Sequence, residues 1–385
     1  MEHPVAVLGG GIVGTAIAYS LSERGIPSLL VERDRTPQGA SACSFASVSA
    51  MDEPIADLFL LKCRGMDAWR TWDQSLKLGD AYRREGEIRW AESSTGAVEL
   101  ESLVSHARAR GYPVRTIREG DLRRRLPQAR PGRVLAASFA PEDAVVDPPG
   151  AMKAALDRFI VNGGRRIIGR AAIGVANDGL ELVVNEERIP VSTLVVAAGA
   201  ETPVMFERLG WDIPMIPSPG LLVRTTPVEP LARQIVYVAP ETGPPIHLRQ
   251  DADGRVTLGE RSQDWIAPNP TREHAEELLQ QAIRVWPALS EAALEHFMVE
   301  WRPMPADGLP IIGRAPGFPG LYVATMHNGV TLAPAVGELV AKELAEGTGV
   351  SLLAPFRLER FEVRELEVAR DIDKIFESRP EVFLG

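Results

Sequence analysis

The chain has 385 residues, 45% hydrophobic and 24% charged, a globular balance that excludes disordered, collagen-like and coiled-coil classes. With 42 Lys+Arg against 52 Asp+Glu, the net charge of −10 argues against nucleic acid or an anionic membrane as partner. Two cysteines, six scattered histidines and no apolar run near ~18 residues exclude a disulfide scaffold, a metal centre and a transmembrane segment, and fit a cytoplasmic setting.

Residues 3–9 (HPVAVLG) are a short β-branched run ending in glycines. Helical spacing over 11–25 is stopped by Gly25, and 26–32 reads as a second strand. Both strands are continuous apolar runs, as a parallel sheet covered on two faces requires. A helix is predicted over 54–78. Residues 79–140 read as mixed and polar, with short strands near 112–116 and 133–139. A glycine-capped helix follows at 151–164, then short alternating segments over 165–190 and a buried strand at 192–200. Antiparallel strands are expected over 213–225, 234–239, 245–249 and 255–259, with turns at Pro, Gly and Asp-Gly. The helix at 271–286 opens with Thr271 and a nearby Glu at capping-box spacing. A strand near 296–302 and two further apolar segments precede a last helix, 329–347, closed by Gly347. The sequence shows no internal repeat.

The strongest chemical signal lies at the start. Gly9, Gly11 and Gly14 form G-x-G-x-x-G between a strand and a helix. The first glycine permits the turn, the second lets backbone approach a pyrophosphate, and the third lets helix and strand pack closely. The phosphates would sit at the helix N-terminus, where unpaired N–H groups and the dipole favour negative charge. Glu32 ends the second strand, the expected place for a carboxylate that holds a ribose hydroxyl. An acid there argues against a 2′-phosphate and hence against NADP; Arg33 follows it as a solvated side chain. The fingerprint leaves FAD and NAD open.

Residues 301–337 read WRPMPADGLPIIGRAPGFPGLYVATMHNGVTLAPAVG. With the N-terminal fingerprint, LVVAAGAET at 194–202, R-P-x-x-x-D-G-x-P-x-x-G at 302–313 and N-G-x-x-L-A-P at 328–334, the chain resembles the FAD-dependent D-amino-acid oxidase and glycine oxidase superfamily. The resemblance spans nearly the whole chain and implies FAD as cofactor. A helix opening at Gly329 would aim its positive end at the flavin, where reduced flavin carries negative charge.

The resemblance also implies an α/β architecture: a Rossmann-like FAD-binding domain with a parallel sheet, and an α+β substrate domain with an antiparallel sheet. The FAD domain would be discontinuous, from 1–80, 142–212 and 303–385. The substrate domain would take 81–141 and 213–302. Cofactor contacts are expected at Gly9, Gly11, Ile12, Val13, Gly14, Glu32, Arg33, Ser41, Cys43, Ser44, Ala172, Ala198, Gly199, Gly313, Asn328, Gly329, Val330 and Thr331. Ser41, Cys43 and Ser44 lie in the loop 39–47, where Ser44 replaces the usual Asn and Ala46 the usual Gly. Cys43 stands near where some relatives tether flavin through histidine, but packing is the expected role.

Arg302 matches the arginine that pairs with the substrate carboxylate in relatives, and a guanidinium gives a bidentate grip. His327 stands where some relatives carry another arginine, and contacts substrate or flavin. His247 and Arg249 share a strand face by alternation and are candidate pocket residues. Tyr237 is a weaker one. The sequence supplies no acid–base pair from Asp143, Asp147 or Asp307.

The implied reaction is hydride transfer from the α-carbon of an amino acid or N-substituted amino acid to flavin N5, giving an imine that hydrolyses to an oxo acid. Rival expectations are a 2-hydroxy-acid dehydrogenase of the same fold, the catalytic subunit of a hetero-oligomeric amine or opine dehydrogenase, and a nucleotide-holding module. The expected partner is a small substrate with a carboxylate, with a homo-oligomer or a companion dehydrogenase subunit as protein partner.

Overall fold

The computed structural model describes residues 3–35, 39–176, 179–207, 211–260 and 271–361. Val5–Leu8 is buried at every position and Ser28–Glu32 at all but its last, so both strands are covered on two faces. They enter a six-stranded sheet in the order Ile311–Ala315, Phe318–Thr325, Thr193–Val196, Val5–Leu8, Ser28–Glu32, Arg165–Ile168. All neighbours are parallel except the hairpin of Ile311–Ala315 with Phe318–Thr325. The chain leaves Val5–Leu8 toward one side of the sheet and returns on the other. That reversal makes the C-terminal end of Val5–Leu8 a switch point, where α/β sheets hold ligands.

Helices Ile12–Glu23, Ala56–Leu76 and Gly329–Glu346 pack together beside this sheet. Gly65 permits the closest approach: a Cβ there would run into the carbonyl oxygen of Thr331, in the first turn of the last helix. Gly65→Ala is expected to displace that turn and cost about 2 kcal/mol, the usual scale of overpacking. A thermal melt checks it; an unchanged Tm would contradict the close contact.

A second, eight-stranded sheet runs Leu294–Trp301, Pro219–Thr225, Val256–Glu260, Ile246–Gln250, Ile235–Ala239, Glu87–Ala91, Ala136–Ala140, Arg115–Thr116. Its pairs are antiparallel with one exception, which qualifies the antiparallel expectation: Ile235–Ala239 runs parallel to Glu87–Ala91. These strands are far apart in sequence, so no hairpin turn dictates their direction. One face packs on Arg272–Val285 through Val236, Leu248, Leu258, Leu278 and Trp286.

The region 79–140 is more ordered than its polar composition predicts. It contains helices Ser94–Ala109 and Glu119–Arg125 and the strand Glu87–Ala91. Ser93 caps the first helix by accepting from the Gly96 N–H at 3.1 Å. The Arg272–Val285 helix is capped by Thr271, which accepts from the His274 N–H at 3.3 Å. The third position is thus His274, and Glu273 stands one residue too early for a capping box. Among the described residues no helix is long and apolar enough to cross a membrane.

Candidate active site

A cavity of about 680 Å³ runs from the crease at Gly9 and Gly11, past the start of the last helix, to the second sheet at Leu222, Tyr237 and His247. At its first end, Gly9 takes φ +107°, a region closed to most side chains. Gly14 has no room for a Cβ, which would fall on the Gly9 carbonyl oxygen. Glu32 accepts from the Gly10 N–H with one oxygen and from the Asp34 N–H at 3.1 Å with the other. Its carboxylate is thereby fixed beside the crease, with acceptor capacity for a diol. Ser41 accepts from the Ile12 N–H at 3.0 Å, so its own proton can be given to an anion at this helix N-terminus. Arg33 is ion-paired with Glu201 at 2.9 Å and Asp34 at 3.1 Å, linking the loops that follow two sheet strands.

The last helix opens against the first. A Cβ on Gly329 would lie 3.3 Å from Val13 Cγ2, so the two helix N-termini meet over one cavity. Asn328 turns the chain into the helix with φ +58°. Trp69 Nε1 donates to the Val330 carbonyl at 2.8 Å, and Thr331 Oγ1 donates to the Ser47 carbonyl at 3.0 Å. The loop 39–47 is held between these helices. Ala46, at the usual glycine position, has φ +57°, a strained left-handed turn that Ser44 Oγ supports by accepting from the Ala46 N–H at 3.0 Å.

At the other end, one row of directly paired residues crosses the second sheet: Gly259 opposite His247, His247 opposite Tyr237, Tyr237 opposite Arg89. Gly259 makes room for the His247 imidazole, which occupies the space a Cβ there would need. Phe45 closes on it edge-to-face, with ring centroids 4.2 Å apart. Arg302 follows the edge strand Leu294–Trp301; its Nε and Nη2 donate to the Ser218 and Pro219 carbonyls at 3.4 and 3.3 Å.

His327 stands between the two ends. Burial and the positive charges of Arg302 and Lys62 push its pKa down to about 4, against a partial pull upward from Asp52. The imidazole is therefore neutral at neutral pH and supplies no second positive charge beside Arg302. We expect the His327 ring resonances to titrate near pH 4, with no change between pH 6 and 8. A midpoint at the ordinary 6.5 would contradict this environment. Because the folded value lies below the unfolded one, this group makes folding less favourable as pH falls from 6.5 toward 4.

Of the sequence candidates, Gly9, Gly11, Ile12, Val13, Glu32, Arg33, Ser41, Cys43, Ser44, Ala198, Gly199, His247, Arg302, His327, Asn328, Gly329, Val330 and Thr331 line the cavity. Gly14 lies directly beneath it. Ala172 is in the strand Ala171–Ala176, opposite Val183 in a three-stranded sheet. Two others are placed elsewhere. Gly313 backs onto Arg357. Arg249 shares the inward face with His247, but its Nη1 donates to the Val146 carbonyl at 2.8 Å and its Nε faces Asp251 at 3.5 Å. It stands behind Phe45, with its guanidinium carbon 6.0 Å from that ring's centroid. Asp147 caps the Pro148–Val161 helix, and Asp307 is paired with Arg360. Sequence reasoning misses Phe45, Asp52, Lys62 and Arg89, which all line the cavity. A signal exists for Arg89: Glu87 and Arg89 place two charges on the same face of a strand buried at every position.

The chain matches the family described as FAD dependent oxidoreductase over residues 4–343. It is similar to the glycine oxidase of Geobacillus kaustophilus, 25% identical over 380 residues covering 93% of this chain and 97% of that protein. It is also similar to an opine oxidase subunit of Rhizobium meliloti, 23% identical over 379 residues, with coverage of 95% and 100%. The crystal structure of the Geobacillus glycine oxidase superposes with a TM-score of 0.83 at 23% identity, covering 94% of this chain and 99% of that one. Iminodiacetate oxidase from Chelativorans sp. gives 0.78 at 23% identity, with coverage of 92% and 98%. The chain belongs to the DAO-type FAD-dependent oxidoreductase family. It is an FAD-dependent enzyme of the amino-acid oxidase or dehydrogenase type. The residues present fit that cofactor: a crease sealed against side chains, a fixed carboxylate at Glu32 and two helix N-termini over one cavity.

Proposed function

We propose that this enzyme oxidises an amino acid or N-substituted amino acid at its α-carbon, with the substrate carboxylate held by Arg302. The observation that carries the reading is the position of Arg302: it lines the cavity beside His327, and two carbonyl contacts set the direction of its side chain. A guanidinium presents its donors in a fork that fits a carboxylate bidentately. When bound, FAD supplies the hydride acceptor. The burial that keeps His327 neutral, together with the charges of Arg302 and Lys62, also favours the neutral form of a substrate amine beside it, which is the form able to lose hydride. No strong base is required of the chain. Two relatives are named as oxidases of glycine and iminodiacetate, and a third as part of an opine oxidase, which supports a substrate with both amine and carboxylate.

In this reading the six-stranded sheet carries the cofactor domain (1–80, 142–212, 303–385) and the eight-stranded sheet the substrate domain (81–141, 213–302). Residues 362–385 lie outside the described residues. We place the enzyme in the cytoplasm, working as an oligomer of itself or with a companion chain; the opine oxidase relative, itself one subunit of a larger enzyme, supports the second arrangement. The test is anaerobic flavin bleaching across a panel of amino acids, N-substituted amino acids and 2-hydroxy acids. Bleaching by amines supports the proposal. Bleaching by hydroxy acids alone would replace it.

A further inference from the structure

We propose that the cavity holds a second anchor, centred on Arg89, for a second acid group carried by the substrate. The proposal rests on the amine-oxidising reading and names a substrate class for it: amino acids bearing a remote second carboxylate, either on the side chain or on the nitrogen substituent.

Arg89 lies on the row of paired residues that runs through Gly259, His247 and Tyr237. Neighbouring strands lie roughly 4.8 Å apart, so Arg89 leaves the sheet roughly 10 Å from His247. Arg302 follows the edge strand Leu294–Trp301 of the same sheet, whereas Arg89 is on the interior strand Glu87–Ala91. Both arginines line one cavity; His327 feels the charges of Arg302, Lys62 and Asp52, and Asp52 in turn faces Arg89 at 3.5 Å.

Arg89 is 4% exposed, and a buried guanidinium needs a partner for each donor. Its Nε donates to Glu87. Its Nη2 faces Asp52 at 3.5 Å, and the Tyr237 ring centroid lies 4.3 Å from its central carbon. Its Nη1 is buried with no hydrogen-bond partner among the described residues. Lys62, also buried, lies 3.6 Å from Asp52 and 3.5 Å from Glu53. These separations exceed those of charge-assisted hydrogen bonds, at roughly 2.7–2.9 Å. The Asp52 carboxylate thus lies between two buried cations, 3.6 Å from Lys62 and 3.5 Å from Arg89. One further acceptor oxygen at Nη1 would complete the arrangement. The unmet group is an N–H donor, which an acceptor oxygen satisfies and a cation does not.

The test uses the FAD-loaded enzyme and ligands without an oxidisable amine. Straight-chain dicarboxylates from malonate to pimelate are titrated against monocarboxylates of equal carbon number, by calorimetry and by perturbation of the flavin spectrum. At the best length the diacid is expected to bind about tenfold tighter or more, equivalent to ~1.4 kcal/mol. Arg89→Gln should reduce that advantage to about threefold or less, and Arg89→Lys should restore part of it. A wild-type enzyme that favours no diacid by more than about threefold overturns the proposal without any variant; so does an advantage that survives in Arg89→Gln. Anaerobic bleaching by N-methyl and N-carboxyalkyl amino acids is read separately. Amine bleaching without a diacid advantage removes the anchor alone. A diacid advantage without amine bleaching removes the amine-oxidising reading and leaves the anchor.

Discussion

Arg302→Ala is expected to lower kcat/KM for a carboxylate-bearing amine by two orders of magnitude or more, roughly 3 kcal/mol of transition-state stabilisation. The size follows from the chemistry of the contact. A charge-assisted, two-point grip inside a cavity is stronger than a neutral hydrogen bond, and it also sets the angle of the α-carbon. Losing it removes both binding and orientation, so KM should rise and kcat should fall. Arg302→Lys keeps the charge without the fork and should recover only part of the loss. Steady-state kinetics on one good substrate decide the matter, and unchanged kcat/KM in Arg302→Ala would remove this residue from the mechanism.

The second large effect belongs to the crease. Gly14→Ala puts a Cβ onto the Gly9 carbonyl oxygen, which is backbone and cannot rotate away. Gly9 is itself held at φ +107°, so the turn has little freedom to adjust. The strand and helix must separate, costing about 3 kcal/mol, the upper end of overpacking effects, and the N–H groups that face the cofactor move with them. The purified variant should carry little FAD and melt at a lower temperature than the wild type. Full FAD content together with an unshifted melt would contradict the crease geometry.

The parts of the molecule that are readable in the sequence are those whose signal is local. The glycine fingerprint needs only its own spacing and the strand, helix and acid around it, and Glu32 lies at the predicted place. The Asn328–Gly329 opening of the last helix is readable for the same reason, since a left-handed turn before a helix favours that residue type. Arg249 shows where alternation stops being informative. It shares the inward face with His247, yet Phe45, from a distant loop, comes between it and the cavity. Arg89 and Lys62 escape a sequence reading because each is identified by what surrounds it. Their partners Glu87, Asp52 and Glu53 are near in sequence, but only the fold brings the two clusters to one wall. The helix Ser94–Ala109 is a different kind of miss. Its Ser93 cap and the buried Leu100, Val104 and Ala107 give the helical spacing, which the charged residues between them obscure.

The most direct measurement is the flavin content of the purified protein and its response to substrate under anaerobic conditions. The expected result is a yellow protein with one FAD per chain, bleached by a carboxylate-bearing amine and recoloured by an electron acceptor. A colourless protein that takes up no FAD when supplied with it would contradict the cofactor assignment, and with it the role of every residue placed around the cavity.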